Sequence, residues 1–377
     1  MWGRLILLLL CAVPLVVAWG TRSTAQNASG GGGRRRFLKT AALGGVVVGA
    51  AIVNKKIMNG PTPFRPPAHS LDGKVMLITG GTAGLGLESA RRLAAGGATV
   101  ILTSRTFEKG LKAVEAVKEY LGAQGVSNSK VYAVPLDLDD LESVRVFPQR
   151  LSESPVGNSK IDVLMNNAGV MAIAEREITK DGFERTFQSN HLGHFLLTGK
   201  LMNQLANDAR IINVSSDAHK IASKGLELDN LNGERSYGPW SSYGQSKLAN
   251  ILFSKELQQR ANKAGRALTV VSLHPGAVQT DLARNLIGEE KWAKMQTEGP
   301  SFLDSLLLNT LSYFVIPVER GATTQVWLAA GEGGKDIGGE YFVRCKTAKI
   351  ASAATDMDMA KKLWEVSEKM TGEELKL

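Results

Sequence analysis

The sequence predicts a doubly wound parallel α/β sheet, folded as a single domain over residues 71–377 behind an N-terminal leader. Three observations predict it. From Leu71 onward, short apolar β-branched runs alternate with longer helix-period stretches; the first run ends in a glycine cluster that opens a helix; and charge falls into two unlike zones.

The strand runs, in order, are KVMLITG (74–80), ATVILTSR (98–105), KVYAVPLDL (130–138), IDVLMNNAG (161–169), ARIINVSS (209–216) and LTVVSLHPG (268–276). Their near-continuous apolar character suits strands covered on both faces by crossover helices. LGLESARRLAA (85–95) fills the first crossover, and Gly96 and Gly97 stop it as a helix end should. No repeat and no break in composition divides 71–377.

The formal net charge is +9, from 45 Lys and Arg against 36 Asp and Glu. Residues 1–70 hold nine of the cations and no acid, which leaves 71–377 neutral. A neutral body with interspersed charges offers no footprint for a polyanion, so nucleic-acid binding is rejected and the positive charge reads as an address. Residues 1–20, MWGRLILLLLCAVPLVVAWG, have the layout of a secretory-type signal or a retained anchor. A Gly-rich spacer follows, within a flexible basic linker expected over 21–70. Inside it, RRRFLKTAALGGVVVGAAIV resembles a twin-arginine signal or a short anchor, its apolar part marginal against the roughly 20 residues needed to span a bilayer. The two addresses together resemble plastid import through an outer secretory step; the endoplasmic reticulum is the alternative, and membrane association is expected through residues 1–60. Cys11 and Cys345 are the only cysteines, so the body has no intrachain disulfide.

TGGTAGLG (79–86) lies between the first strand and the first helix, the context in which a glycine cluster binds a dinucleotide. Gly80 allows the tight turn, Gly84 lets backbone approach a pyrophosphate, and Gly86 permits close helix packing, which makes the sheet a Rossmann fold. The second strand ends Thr103, Ser104, Arg105 where an acid would bond a ribose 2′-hydroxyl. A guanidinium beside a small hydroxyl suits a 2′-phosphate instead, so the expected cofactor is NADP(H).

At this point the residues resemble the short-chain dehydrogenase/reductase family over nearly all of 71–377. TGGTAGLG, LDL (136–138), NNAG (166–169), NHLGHF (190–195), NVSS (213–216), YGQSK (243–247) and HPG (274–276) occur in that family's order. NNAGVMA, FQSNHLGHFLLTGK, YGQSKLANILFSKEL and the C-terminal GGEYFVRCK and AKKLWEVSEK are similar to its retinol dehydrogenase-like branch, which includes plant plastid-envelope members. The resemblance makes Tyr243 the catalytic acid/base, with Lys247, Ser216 and Asn190 completing a tetrad. Chemistry supports the roles. Tyr243 and Lys247, four apart on a helix, share a face, and an ammonium near a phenol should lower its pKa. Ser216 can donate to a substrate oxygen, and Asn190 is expected to hold a water linking Lys247 to solvent. Lys247 and Tyr243 also face the nicotinamide ribose. Thr82, Leu85 and Leu138 fall with the cofactor positions, Asp137 with the adenine amine unless it merely caps its strand, Asn167 with the adenosine, and Thr280 with the nicotinamide carboxamide. His191, His194 and His274 read as packing or turn residues, and no metal site is expected.

The stretch between Ser216 and Tyr243, with Tyr237 and Trp240, is expected to shape the substrate entrance, and Leu282 to Tyr313 to form a lid. The expected reaction is hydride transfer between NADP(H) and the carbonyl or alcohol of a small hydrophobic substrate. Two alternatives carry weight: a protochlorophyllide-type reductase, disfavoured because Cys345 lies far from the substrate region, and a redox-sensing module that reads the NADPH/NADP ratio at a plastid membrane.

Overall fold

The computed structural model describes residues 60–126, 129–278, 316–334 and 336–377. Residues 1–59 of the leader, Thr280 and the expected lid lie outside these residues. The chain alternates as the apolar runs require: β1 (Val75–Ile78), α1 (Gly84–Ala95), β2 (Thr99–Ser104), α2 (Phe107–Gly122), β3 (Val131–Pro135), α3 (Leu141–Arg145), α4 (Phe147–Ser152) and β4 (Ile161–Asn166). Then come α5 (Arg185–Phe187), a π turn (Gln188–Leu192), α6 (Gly193–Leu201), β5 (Leu205–Val214), α7 (Pro239–Lys263) and β6 (Thr269–His274). After the undescribed stretch follow α8 (Val318–Gly321), α9 (Thr323–Ala329), β7 (Tyr341–Val343), β8 (Lys346–Thr347) and α10 (Met357–Thr371).

The strands form one sheet in the order β3-β2-β1-β4-β5-β6-β7-β8, parallel except for the last pair. The order reverses between β1 and β4, the switch point where crossovers leave to opposite faces and ligands bind at the strands' C-terminal ends. All six expected strands are present. β7 and β8 were not foreseen, because three and two residues are too few to show a period.

Both faces are apolar. On one, Phe195 of α6, Phe253 of α7 and Trp364 of α10 pack around Leu164 and Ile211. The Arg260 guanidinium lies 4.2 Å over the Trp364 ring, whose Nε1 donates to Glu368 (2.8 Å). On the other, α1, α2 and α9 cover Met76, Ile78, Val100 and Leu102.

The linker was expected to run to residue 70, but residues 60–70 belong to the body. Phe64 packs on the second face, Arg65 donates to the Tyr120 hydroxyl (2.6 Å), and the Phe64 carbonyl accepts from Arg92 (3.2 Å). One aromatic side chain in a short Pro-rich stretch supplies enough apolar surface to dock it.

Arg92 is fully buried on α1, paired with Glu88 (2.6 Å) and donating to the Glu319 carbonyl of α8. Removing one partner of such a pair strands the other. Arg92→Met is expected to cost about 3–5 kcal/mol, seen as a lower urea midpoint with an unchanged slope.

Candidate active site

The first wall is the glycine turn. Thr79 is fully buried at the end of β1, and its Oγ1 accepts from the N–H groups of Asn167 (2.9 Å) and Ala168 (3.0 Å), tying β1 to β4. Gly80 (φ 63°) and Gly84 (φ 51°) occupy the left-handed region that favours glycine. A Cβ on Gly86 would overlap the Gly80 carbonyl oxygen, so α1 lies directly against the turn. The N-cap of α1, Ala83, offers no side-chain cap, and the first turn carries no acid. Its free N–H groups and positive dipole end fit a pyrophosphate, with Thr82 and Leu85 alongside. The Asn167 amide is spent on the turn itself: it donates to the Thr79 carbonyl (2.8 Å), and its oxygen accepts from Gln325 of α9 (3.2 Å).

At the end of β2 the expected pair divides. Ser104 is buried and its hydroxyl donates to the Thr106 carbonyl (2.7 Å), which leaves it no proton for a phosphate. Arg105 is exposed, with no hydrogen bond or ion pair to any described residue. Asp137 accepts from the Asp139 N–H (3.0 Å), a strand-end cap, and stands half-buried; Leu138 is buried beside it.

The second wall is β5 and α7. Pro239 opens α7 at a position where a missing N–H costs nothing, and the helix lays Tyr243 and Lys247 along β5. Tyr243 is 7% and Lys247 4% exposed, with the ammonium 5.5 Å from the phenol ring centre. Lys247 Nζ donates to the Val214 carbonyl (3.1 Å). Ser216 follows at the strand end, where its hydroxyl accepts from Ala218 N (3.1 Å). Burial pushes the Tyr243 phenol up to about 12, against the Ser216 hydroxyl beside it, and pushes Lys247 down to about 8. The expected lowering of the phenol is not what this arrangement gives: burial raises it, and the ammonium is itself desolvated and turned toward a carbonyl.

Asn190 lies in the π turn, fully buried. A wide turn suits this poor helix former. Its side chain accepts from Val170 N (2.8 Å) and donates to the Val170 carbonyl (3.0 Å) and Ser246 Oγ (2.9 Å). The Asn190 side chain is thus committed to the loop after β4 and to α7. His194 joins the walls: one ring nitrogen faces Thr79 Oγ1 (2.9 Å), the other the Asn190 carbonyl (3.1 Å). Burial pushes His194 down to about 4, so it is neutral, and among the described residues no metal-binding cluster occurs. Trp240, 44% exposed, stands edge-on to Tyr243 with ring centres 6.2 Å apart, and Ile221, 51% exposed, lies against Gly244.

Sequence reasoning missed Thr79, Gln325 and Asn250, which position others. Asn250 and Ser254 had a signal, since they continue the helical face of Tyr243 and Lys247 at steps of three and four.

The switch-point sheet, the glycine turn and the buried Tyr–Lys pair together define a class, the dinucleotide-dependent oxidoreductases. A family model described as short chain dehydrogenase matches residues 74–291. Retinol dehydrogenase 12 of Mus musculus is 37% identical over 305 residues, covering 80% of this chain and 87% of that protein. Short-chain dehydrogenase TIC 32 A, chloroplastic, of Brassica napus is 36% identical over 313 residues, covering 80% of this chain and 90% of that protein. Of solved structures, an uncharacterized protein from Mycobacterium paratuberculosis is similar with TM-score 0.63 at 33% identity, over 84% of this chain and all of that one. A metagenomic blue fluorescent protein in complex with NADPH gives TM-score 0.50 at 25% identity, over 72% of this chain and 96% of that one. The chain belongs to the short-chain dehydrogenase family, in its retinol dehydrogenase-like branch.

Proposed function

We propose that the protein transfers a hydride between NADP(H) and the carbonyl or alcohol carbon of a hydrophobic substrate, with Tyr243 as acid/base. The observation that carries this reading is the burial of Tyr243 and Lys247 on one face of α7, with the Ser216 hydroxyl beside the phenol. The Gly80–Gly86 turn and Arg105 would hold the pyrophosphate and 2′-phosphate, and the bound nicotinamide would supply or accept the hydride. Tyr243 gives its proton to the reduced oxygen or takes it from the alcohol, Ser216 donates to that oxygen, and Lys247 steadies the phenolate. Asn190 keeps the loop after β4 against α7. Trp240 and Ile221 give the entrance an apolar rim, which supports a hydrophobic substrate. Turnover of NADPH by the purified chain with retinal and a series of aliphatic aldehydes tests the reading; no consumption with any of them counts against it.

For the cofactor, Arg105→Ala is expected to weaken NADPH binding about tenfold to a hundredfold, the worth of its charge-assisted bonds to a phosphate, and to leave NADH binding unchanged. Fluorescence titration of both nucleotides reads this, and equal losses would refute the role.

The chloroplastic relative favours a plastid location, in which a second reading, a sensor of the NADPH/NADP ratio, would apply. Binding of NADPH without turnover of any carbonyl compound would select it. Residues 1–59 would then be the address, and sequencing the mature N-terminus from plastids and from microsomes distinguishes the two routes. Among the described residues no helix is long and apolar enough to cross a membrane.

A further inference from the structure

α7 is docked on the sheet by a polar seam. Three consecutive residues of β5 and the turn after it meet it: Asn213 Nδ2 donates to Ser254 Oγ (2.9 Å), the Val214 carbonyl accepts from α7, and Ser215 Oγ donates to the Lys247 carbonyl (2.7 Å). Ser254 Oγ in turn donates to the Asn250 carbonyl (2.7 Å). Every side chain in this seam is buried.

At its centre one acceptor is shared. The Val214 carbonyl takes Lys247 Nζ at 3.1 Å and Asn250 Nδ2 at 3.2 Å. A carbonyl has two lone pairs, and the two donors fill both. Among the described residues, Nζ has no other bonded partner, so its remaining N–H groups stay available on the side of Tyr243. Without the amide, both lone pairs would fall to the ammonium, which could settle deeper on the carbonyl and away from the phenol.

We propose that Asn250 is a positioning residue for Lys247: by occupying the second lone pair of the Val214 carbonyl it holds the ammonium on the Tyr243 side of the cleft. The inference rests on the reading that Tyr243 and Lys247 carry the proton chemistry. The titratable groups facing Lys247 are Tyr243 on its own helix and His194 across on α6, and His191 of the π turn faces Asn250; burial keeps both histidines neutral. Asn250 itself has no charge, and it replaces no group that the reaction consumes.

Two variants test it. Asn250→Leu keeps the volume and leaves the Val214 carbonyl its bond from Lys247, losing besides only the contact of Asn250 with His191; kcat should fall at least tenfold while NADPH affinity changes less than threefold. Asn250→Asp places a carboxylate next to the ammonium, and the alkaline limb of the kcat/KM profile should move up by at least one pH unit. Wild-type kcat in the Leu variant overturns the inference, as does an unmoved limb in the Asp variant. Should the buried carboxylate prevent folding, the Leu variant alone decides. Tyr243→Phe serves as the control: if it stays fully active the underlying reading has failed, whereas an inactive Tyr243→Phe beside a wild-type Asn250→Leu refutes this inference alone.

Discussion

Tyr243→Phe is expected to lower kcat for carbonyl reduction by about 10²–10⁴-fold, the usual worth of a positioned acid/base, while the NADPH dissociation constant stays within threefold. The change removes one oxygen. Ser216 keeps its bond from Ala218 N, so the loss is confined to proton transfer and the melting temperature should barely move. The pH dependence has a definite sign. With the phenol held up near 12, Tyr243 is protonated across the neutral range and ready to donate. Reduction should therefore run flat from about pH 6 and decline above about 8, where Lys247 loses the charge that steadies the phenolate. Alcohol oxidation needs the phenolate beside a charged Lys247 and should climb up to about pH 8 and level off above it. Steady-state absorbance at the reduced nicotinamide band in both directions checks this, and a Phe variant with wild-type turnover would remove Tyr243 from the mechanism.

Lys247→Met should abolish measurable turnover and yet stabilise the free protein. An ammonium with one bonded partner in a buried site, pushed from 10.5 to about 8, carries a penalty of about 3 kcal/mol at neutral pH. Methionine fills similar volume without it, and the Val214 carbonyl keeps its bond from Asn250. A domain of this size converts that to a rise of roughly 5 °C. The sign follows from proton linkage. Below pH 8 Lys247 is charged in the native and unfolded chains alike, and the wild type bears the whole penalty. Between about 8 and 10.5 the unfolded chain binds the extra proton, so wild-type stability climbs with pH and the gap closes. Tyr243 titrates in both proteins and cancels. Scanning calorimetry at pH 7 and pH 10 reads the difference; a variant less stable than wild type at pH 7 would contradict this account of the site.

The fold was legible because its signals are long-range in sequence but simple in kind. Six apolar runs and a glycine turn suffice for a switch-point sheet, and β7 and β8 escaped because their three and two residues are held by the edge of β6 rather than by their own pattern. The site was legible as identities and not as interactions. Tyr243, Lys247 and Ser216 came from the family resemblance with spacing in support, but whether an ammonium lowers a phenol depends on what else desolvates both, and spacing carries no burial. Ser104 and Asn167 show the same limit from another side: each stands where a ligand-binding residue was expected, and each spends its donors on backbone that only the folded turn brings near. Arg105 bonds none of the described residues, and its role rests on the proposed contact with a 2′-phosphate.

The π turn at Gln188–Leu192 has a bearing on how this enzyme can be engineered. A helix that carries one residue more per turn than it needs is in effect a retained insertion, and excising one position there would let α5 and α6 join as an unbroken α-helix. A shift of one residue turns every side chain beyond it by about 100°, so Asn190 would leave Val170 and Ser246, and His194 would leave Thr79. Phe195 would turn away from Phe253 and Trp364 by the same rotation, so the excision would cost stability together with the site, and the extra residue is what lets one helix serve both the core and the two walls.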